Sequence, residues 1–354
     1  MNSERPDLSQ VSPEILHYID SLESEIARLR SAIEAGTTDQ MDAFEDENPE
    51  PPEPPTTIHL MAITRKGIVK RTPRHLYTRQ RRGGMGVFDM EVPANDALQT
   101  IVFADESQNL ILLTSLARAF RMPVNLLTQT PVRAKGTPVT ERLPLQDNEQ
   151  FVAALPEQAQ GYIALLCSSG YVKLLRHHIF GEHMKPGMGL LDTRHMGPLV
   201  SACWTPGNSD LFIASIQGKA IRFSEKLVPP QGGPGIRLTE GDQAVAVTSV
   251  YPDSGVFLLS EDGKGTIRTM EGFAANKAPG AGGKNAIATD KLITAFTVSD
   301  TDDIFIITQL SKIIRFKAAE IPPKDGVVQG VVCMSLRGDE IVAATPTQMI
   351  QYPF

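Results

Sequence analysis

The sequence is poor in aromatic side chains, at 6%, with a single tryptophan. A surface that gripped nucleic-acid bases by stacking would need more of them, so stacking is excluded as the main mode of action. Cysteine is scarce too. Cys167, Cys203 and Cys333 are far apart, odd in number and each set in an apolar run. That fits buried thiols in a reducing compartment, not a disulfide framework or a zinc site. No apolar run approaches the roughly 20 residues that cross a bilayer. The opening MNSERPDLSQ lacks the charged-then-apolar layout of a secretory signal. No Gly-Lys-Ser/Thr completes a nucleotide P-loop, and no Ser-His-Asp or Cys-His spacing stands out. HHIFGEH, with His177, His178, Glu182 and His183, reads as a variable surface loop and EDGKG at 261–265 as a hairpin turn. The expectation is a cytoplasmic protein without catalytic residues, metal or cofactor.

What is present is unevenly spread. The net charge is −7, yet residues 1–57 hold 14 acidic and 3 basic side chains, a balance of −11, leaving 27 acidic and 31 basic, or +4, for the rest. A mildly basic body suits a polyanionic partner. The acidic tail either keeps the chain soluble or competes for the same surface.

Residues 1–11 read as disordered. In SPEILHYIDSLESEIARLRSAIEA, the residues Ile15, Ile19, Leu22, Ile26, Leu29 and Ile33 are spaced 4, 3, 4, 3 and 4, which is a heptad seam. Ser12 can cap the helix and Pro13 fits its first position. Isoleucine at a and mostly leucine at d favour a parallel two-stranded coil, so residues 12–35 predict a helix and a homodimer contact. Three heptads are marginal alone, and docking on the chain's own body is the alternative. Residues 36–57 are acidic, proline-rich and aperiodic, as an extended linker would be.

From 58 to 354 the chain turns to short β-rich runs broken by Gly, Pro, Asn and Asp, and repeats emerge. One anchor is an apolar–basic pair ending a strand, at Lys70, Arg121, Lys173, Arg222, Arg268 and Arg315, with steps of 51, 52, 49, 46 and 47. A second is a glycine 13 to 16 residues later, at Gly86, Gly136, Gly189, Gly235, Gly283 and Gly330. Six units of about 45–50 residues read as an all-β, six-bladed propeller or pinwheel. Spacing does not tell an ordinary blade from one whose outer hairpin crosses to a neighbour. TIHLMAIT at 57–64 is expected to close the ring with the last copy.

The recurring cations are expected to point one way, with Arg71, Arg118, Lys219, Lys264 and Lys312 beside them, making a basic belt on a curved rim. Such a belt could hold bent duplex DNA, the bending cost being offset by phosphate contacts. Scattering of the six over opposite faces would defeat that belt. In the first unit, QRRGGMG (Gln80, Arg81, Arg82, Gly83, Gly84, Met85, Gly86) lies near Lys66, Lys70, Arg74 and Arg79. Arginine forks there suit phosphate, and glycines allow close backbone approach.

The stretch RKGIVKRTPRHLYTRQRRGGMGV and the six units resemble the C-terminal domain of the DNA gyrase A subunit over residues 58–354. QRRGGMG is similar to the gyrase heptapeptide box, whose usual lysine is Met85 here; the other six positions agree. The resemblance implies a β-pinwheel that wraps duplex DNA around a basic rim, clamped by the box, and affects DNA supercoiling. It also implies gyrase or topoisomerase IV subunits as partners and a nucleoid location in a bacterium. The expectation is non-enzymatic, since 57 residues leave no room for a cleavage domain. A protein-interaction scaffold, or an accessory acting in trans on a type II topoisomerase, is the alternative.

Overall fold

Each repeat opens with a hairpin of two six- or seven-residue strands rich in β-branched and large apolar residues. In the first repeat these are β1 (Ile58–Thr64) and β2 (Ile68–Pro73). A computed structural model describes residues 53–347 apart from 252, 253 and 276; the heptad helix, its dimer contact and most of the linker lie outside the described residues. Six four-stranded antiparallel sheets, I to VI, are built in chain order. The innermost strands are β5 (Leu98–Asp105), β10 (Phe151–Pro156), β14 (Leu199–Thr205), β18 (Ala244–Val250), β22 (Leu292–Val298) and β26 (Ile341–Pro346), and they pack on one another around a closed ring. Next outward come the two hairpin strands. The outermost is a two-residue strand taken from the following repeat. Thus β9 (Thr137–Pro138) joins sheet I, β13 (Met188–Gly189) sheet II, β17 (Gly233–Pro234) sheet III, β21 (Lys284–Asn285) sheet IV and β25 (Val331–Val332) sheet V.

The ring closes through β3 (Val87–Phe88), whose residues pair with Ile313 and Lys312 of β24 (Lys312–Lys317). This corrects the expectation for 57–64: β1 pairs with β2 and β5 inside its own sheet. Strand periodicity found a strand there, but only partner choice could show which one crosses. The six-bladed pinwheel is otherwise as expected.

One device repeats at every crossing. Gly67, Ala117, Gly170, Gly218, Gly263 and Ser311 have positive φ at their hairpin turns. Each turns its carbonyl to accept an N–H from the crossing segment, at Val139, Leu190, Ile236, Ile287, Cys333 and Asp89 respectively. The recurring glycine serves the same contact. At Gly86, φ is +69° and an added Cβ would lie 2.6 Å from the Ile313 carbonyl oxygen, so no other residue lets β3 lie so close. Gly189 is the exception, with open space where its Cβ would be.

No single sheet of this size can bury both faces. Six apolar clusters form between neighbouring sheets, for example Phe212, Val256, Leu258 and Phe273 between IV and V, and Leu60, Tyr77, Phe103 and Phe305 between VI and I. Cys203 and Cys333 lie in these layers, and Cys167 is buried. Burial raises the thiol of Cys167 to about 11 and that of Cys333 to about 12.

Candidate nucleic-acid interface

Strand register decides where the recurring cations go, because a one-residue slip moves a side chain to the opposite face. Arg121, Arg222 and Arg315 stand opposite Ile111, Phe212 and Phe305, residues that pack toward the following sheet. Lys70, Lys173 and Arg268 stand opposite Ala62, Leu165 and Val256, which pack toward the preceding sheet. The six therefore do not share one direction, and the belt expected from their spacing is not formed. The residue of sheet I that matches Arg121, Arg222 and Arg315 is Arg71, opposite Met61.

These matched arginines are struts between repeats. Arg71 donates to the carbonyls of Val124 and Leu127 in the next repeat and pairs with Glu106 at 3.0 Å. Arg222 donates to the carbonyls of Met270 and Phe273 at 2.6 and 3.1 Å while its Nε holds Asp210 at 2.8 Å. Arg315 donates to the Tyr77 carbonyl at 2.9 Å and pairs with Asp303 and Glu53 at 2.6 and 2.7 Å. Arg121 keeps the carboxylate partner, Glu157 at 2.9 Å. A planar guanidinium with five donors suits this work: one edge takes the carboxylate, the other the carbonyls of a turn in the next repeat. Sheets III and V carry Leu174 and Ile267 at this position.

Lys70 is fully buried. It donates to Asp89 at 2.8 Å and to Thr72, within a cluster completed by the Tyr77 hydroxyl. Burial pulls its pKa down against the pull of Asp89, and burial beside Asp89 pushes Tyr77 well above its ordinary value. Lys70, Arg71, Arg222, Arg268 and Arg315 are each under 7% exposed and are removed from the accessible rim. The companions are mixed. Arg118 is engaged by Glu149 at 2.5 Å and by the Gly187 carbonyl, and Lys264 by Asp262 at 2.8 Å. Lys219 reaches Thr239, Lys173 reaches the Leu190 carbonyl, and Lys312 is half-buried. Lys66 is exposed.

The box sits at the ring closure. Gln80 N–H donates to the Arg315 carbonyl, Gly83 N–H to the Cys333 carbonyl, and the Gly84 carbonyl accepts from Ser335. Arg82 donates from its backbone to the Glu320 carboxylate, from Nε to the Glu320 carbonyl and from Nη1 to the Val332 carbonyl. Gln80, Gly83, Gly84, Gly86 and Arg82 thus join repeat I to repeat VI and to the strand crossing onto V. Arg79 pairs with Asp303 at 2.9 Å, and Arg74 with Glu53 at 2.6 Å. Burial would raise Glu53, but its bonds to Arg74 and Arg315 outweigh that and hold it below the usual carboxylate range. Arg81 and Met85 face solvent.

Each crossing segment carries an exposed cation. Arg81, Lys135, Lys185, Arg237, Lys284 and Lys324 are all exposed, one from each of the six segments that form or flank the outermost strands. Arg133 and Lys277 add to them. None is predicted from the recurring strand-end cation, and only Arg81 is singled out in the sequence at all, through the box. Their signal is proximity to the recurring glycine: Lys135 precedes Gly136, Lys284 follows Gly283 and Arg237 is two residues past Gly235.

Six sheets whose outermost strands are exchanged between neighbours, with an exposed cation on each exchange, define a pinwheel-type propeller. The family model described as DNA gyrase C-terminal domain, beta-propeller, matches residues 59–105, 108–156, 209–250 and 302–348, and the chain belongs to that family. The four matched repeats are those that carry the strut arginines. The DNA gyrase A protein of Staphylococcus aureus (strain NCTC 8325 / PS 47) is 25% identical over 370 residues, covering 96% of this chain and 42% of its own length; that of strain COL is 24% identical over the same shares. The chain thus spans under half the length of these relatives. A solved DNA gyrase A C-terminal domain superposes with TM-score 0.72 at 21% identity, covering 82% of this chain and 99% of its own. The C-terminal domain of DNA topoisomerase IV gives 0.60 at 19%, covering 82% and 93%. These structures share the fold.

Proposed function

We propose that the chain binds duplex DNA around its perimeter and bends it, without catalysing a reaction of its own. The observation that carries this reading is the exposed cation on every crossing segment, six around the ring, on a member of the gyrase C-terminal domain family. Phosphate contacts of this kind position a duplex and carry no base code. Arg81 beside Gly83 and Gly84 extends the row across the ring closure. The buried cations hold the sheets that present the row. Association with subunits of a type II topoisomerase belongs to the same reading, as does a place in the nucleoid. Residues 12–35 as a dimerising helix and 36–57 as an acidic linker complete the proposed organisation.

A gel shift with linear duplex tests it. Affinity should fall steeply as salt rises, with a slope of about −0.9 per phosphate neutralised. Binding that ignores salt, or no binding in dilute buffer, would remove the reading and leave a protein-interaction propeller.

A further inference from the structure

Every strut arginine has a carboxylate partner; among the described residues Arg268 has none. It is 3% exposed, and its Nε and Nη1 are buried without a hydrogen-bond partner. It faces sheet IV from sheet V, where Arg222 is already engaged by Asp210. Two more cations lie close by. Lys284, on the strand that crosses onto sheet IV, lies 4.1 Å from the centroid of the Phe273 ring, and the Arg268 guanidinium lies 5.8 Å from the same centroid. Burial lowers Lys284, and Arg268 and Lys277 lower it further, so the three cations act on one another. The nearby carboxylate, Asp325, is exposed and accepts from the Thr269 hydroxyl. The contrast with sheet I is direct. There the cation facing the preceding sheet, Lys70, is neutralised by Asp89. By register against the preceding sheet, Asp89 corresponds to Ala286 in repeat V. Repeat V thus lacks the crossing-strand carboxylate of repeat I, and the one carboxylate that attracts Arg268, Asp325, lies at the surface without bonding to it.

We propose that this cation cluster between sheets IV and V binds one phosphate group, held by Arg268 and Lys284 with Lys277 at its edge. A guanidinium edge offers paired donors to phosphate oxygens, and the ammonium supplies a second charge. An unpaired buried guanidinium is costly, and a bound dianion removes that cost. The phosphate comes either from a duplex backbone, which rests on the function proposed above, or from a free phosphate in solution, which does not.

Thermal unfolding in phosphate-free buffer, with inorganic phosphate added at constant ionic strength against chloride, reads the site directly. Wild type should gain a saturable rise in Tm. Arg268→Met, which copies Met122 at the matching position of sheet II, should start above wild type and show no phosphate rise. Lys284→Gln, an exposed change that leaves the fold intact, should need more phosphate for the same rise, while Arg237→Gln should respond as wild type does. A duplex titration separates the sources. If a backbone phosphate occupies the site, Arg268→Met lowers the salt slope by about 0.9 and inorganic phosphate competes with duplex. If the slope is unchanged but the phosphate rise is lost, the ligand is free phosphate. A phosphate rise abolished in Arg268→Met, with no duplex binding by any variant, would sink the DNA reading and leave this site standing. No saturable rise in wild type, or an equal rise in Arg268→Met, would overturn the site.

Discussion

The guanidinium of Arg315, on the last repeat, donates to the main-chain carbonyl of Tyr77, on the first, at 2.9 Å. That bond, with β3 laid on β24 and the box laid on Glu320 and Val332, closes the ring. The same guanidinium role recurs at Arg71 and Arg222.

Arg222→Ala removes a buried charge that serves Asp210 and two carbonyls. Breaking such a pair costs about 3–5 kcal/mol, and the midpoint of urea unfolding should fall accordingly. Arg222→Leu combined with Asp210→Asn, which gives sheet IV the leucine that sheet III has at Leu174, should recover part of the loss. A double variant no better than the single one would show that the carbonyl bonds, not the ion pair, matter.

Gly86→Ala forces a left-handed φ on an alanine and drives its Cβ against the Ile313 carbonyl. Strain of this kind costs about 1–3 kcal/mol. The expected loss is local: amide exchange at Val87 and Ile313 should accelerate more than exchange in sheet III. Uniform protection across the ring would contradict the closing role of β3.

His59 is buried, with Nδ1 donating to the Thr57 carbonyl at 2.8 Å and Nε2 facing the Arg71 guanidinium at 3.4 Å; Gln129 and Glu106 complete its surroundings. Burial and Arg71 lower its pKa. The unfolded chain then binds the proton first, so stability declines as pH falls below the ordinary histidine value of about 6.5 toward the lowered folded one. His59→Gln should flatten that limb of the stability profile. An unchanged limb would assign it to carboxylates such as Glu53.

Met85 is 43% exposed beside Arg81. Met85→Lys should add one phosphate contact and steepen the salt slope by about 0.9. Lys135→Gln should lower it by the same amount, whereas an equal effect on fold stability would mark Lys135 as structural.

The repeats, their number and the sheet class were legible because a strand's period and a crossing's glycine are local features. The destination of each cation was not. Arg71 and Lys70 are chain neighbours, yet one faces sheet II and the other sheet VI. Alignment on any strand-end cation mixes the two faces, and sequence spacing tolerates a slip of one that a pleated strand does not. The accessible row escapes the strand-end spacing for a related reason: Lys135, Arg237 and Lys284 matter through strand exchange, and only their closeness to the recurring glycine marks them in the sequence. The box reads as charge in the sequence, but Arg82 is spent on Glu320 and Val332.

Relaxed plasmid incubated with the protein and a nicking-closing enzyme, then stripped of protein, tests the central claim most directly. A duplex curved around the perimeter leaves a shift in linking number that grows with protein and disappears at high salt. Charge reversal at Arg81, Lys135, Arg237 and Lys284 together should abolish it. A linking-number distribution identical to the protein-free control, under conditions where the chain binds the plasmid, would contradict wrapping.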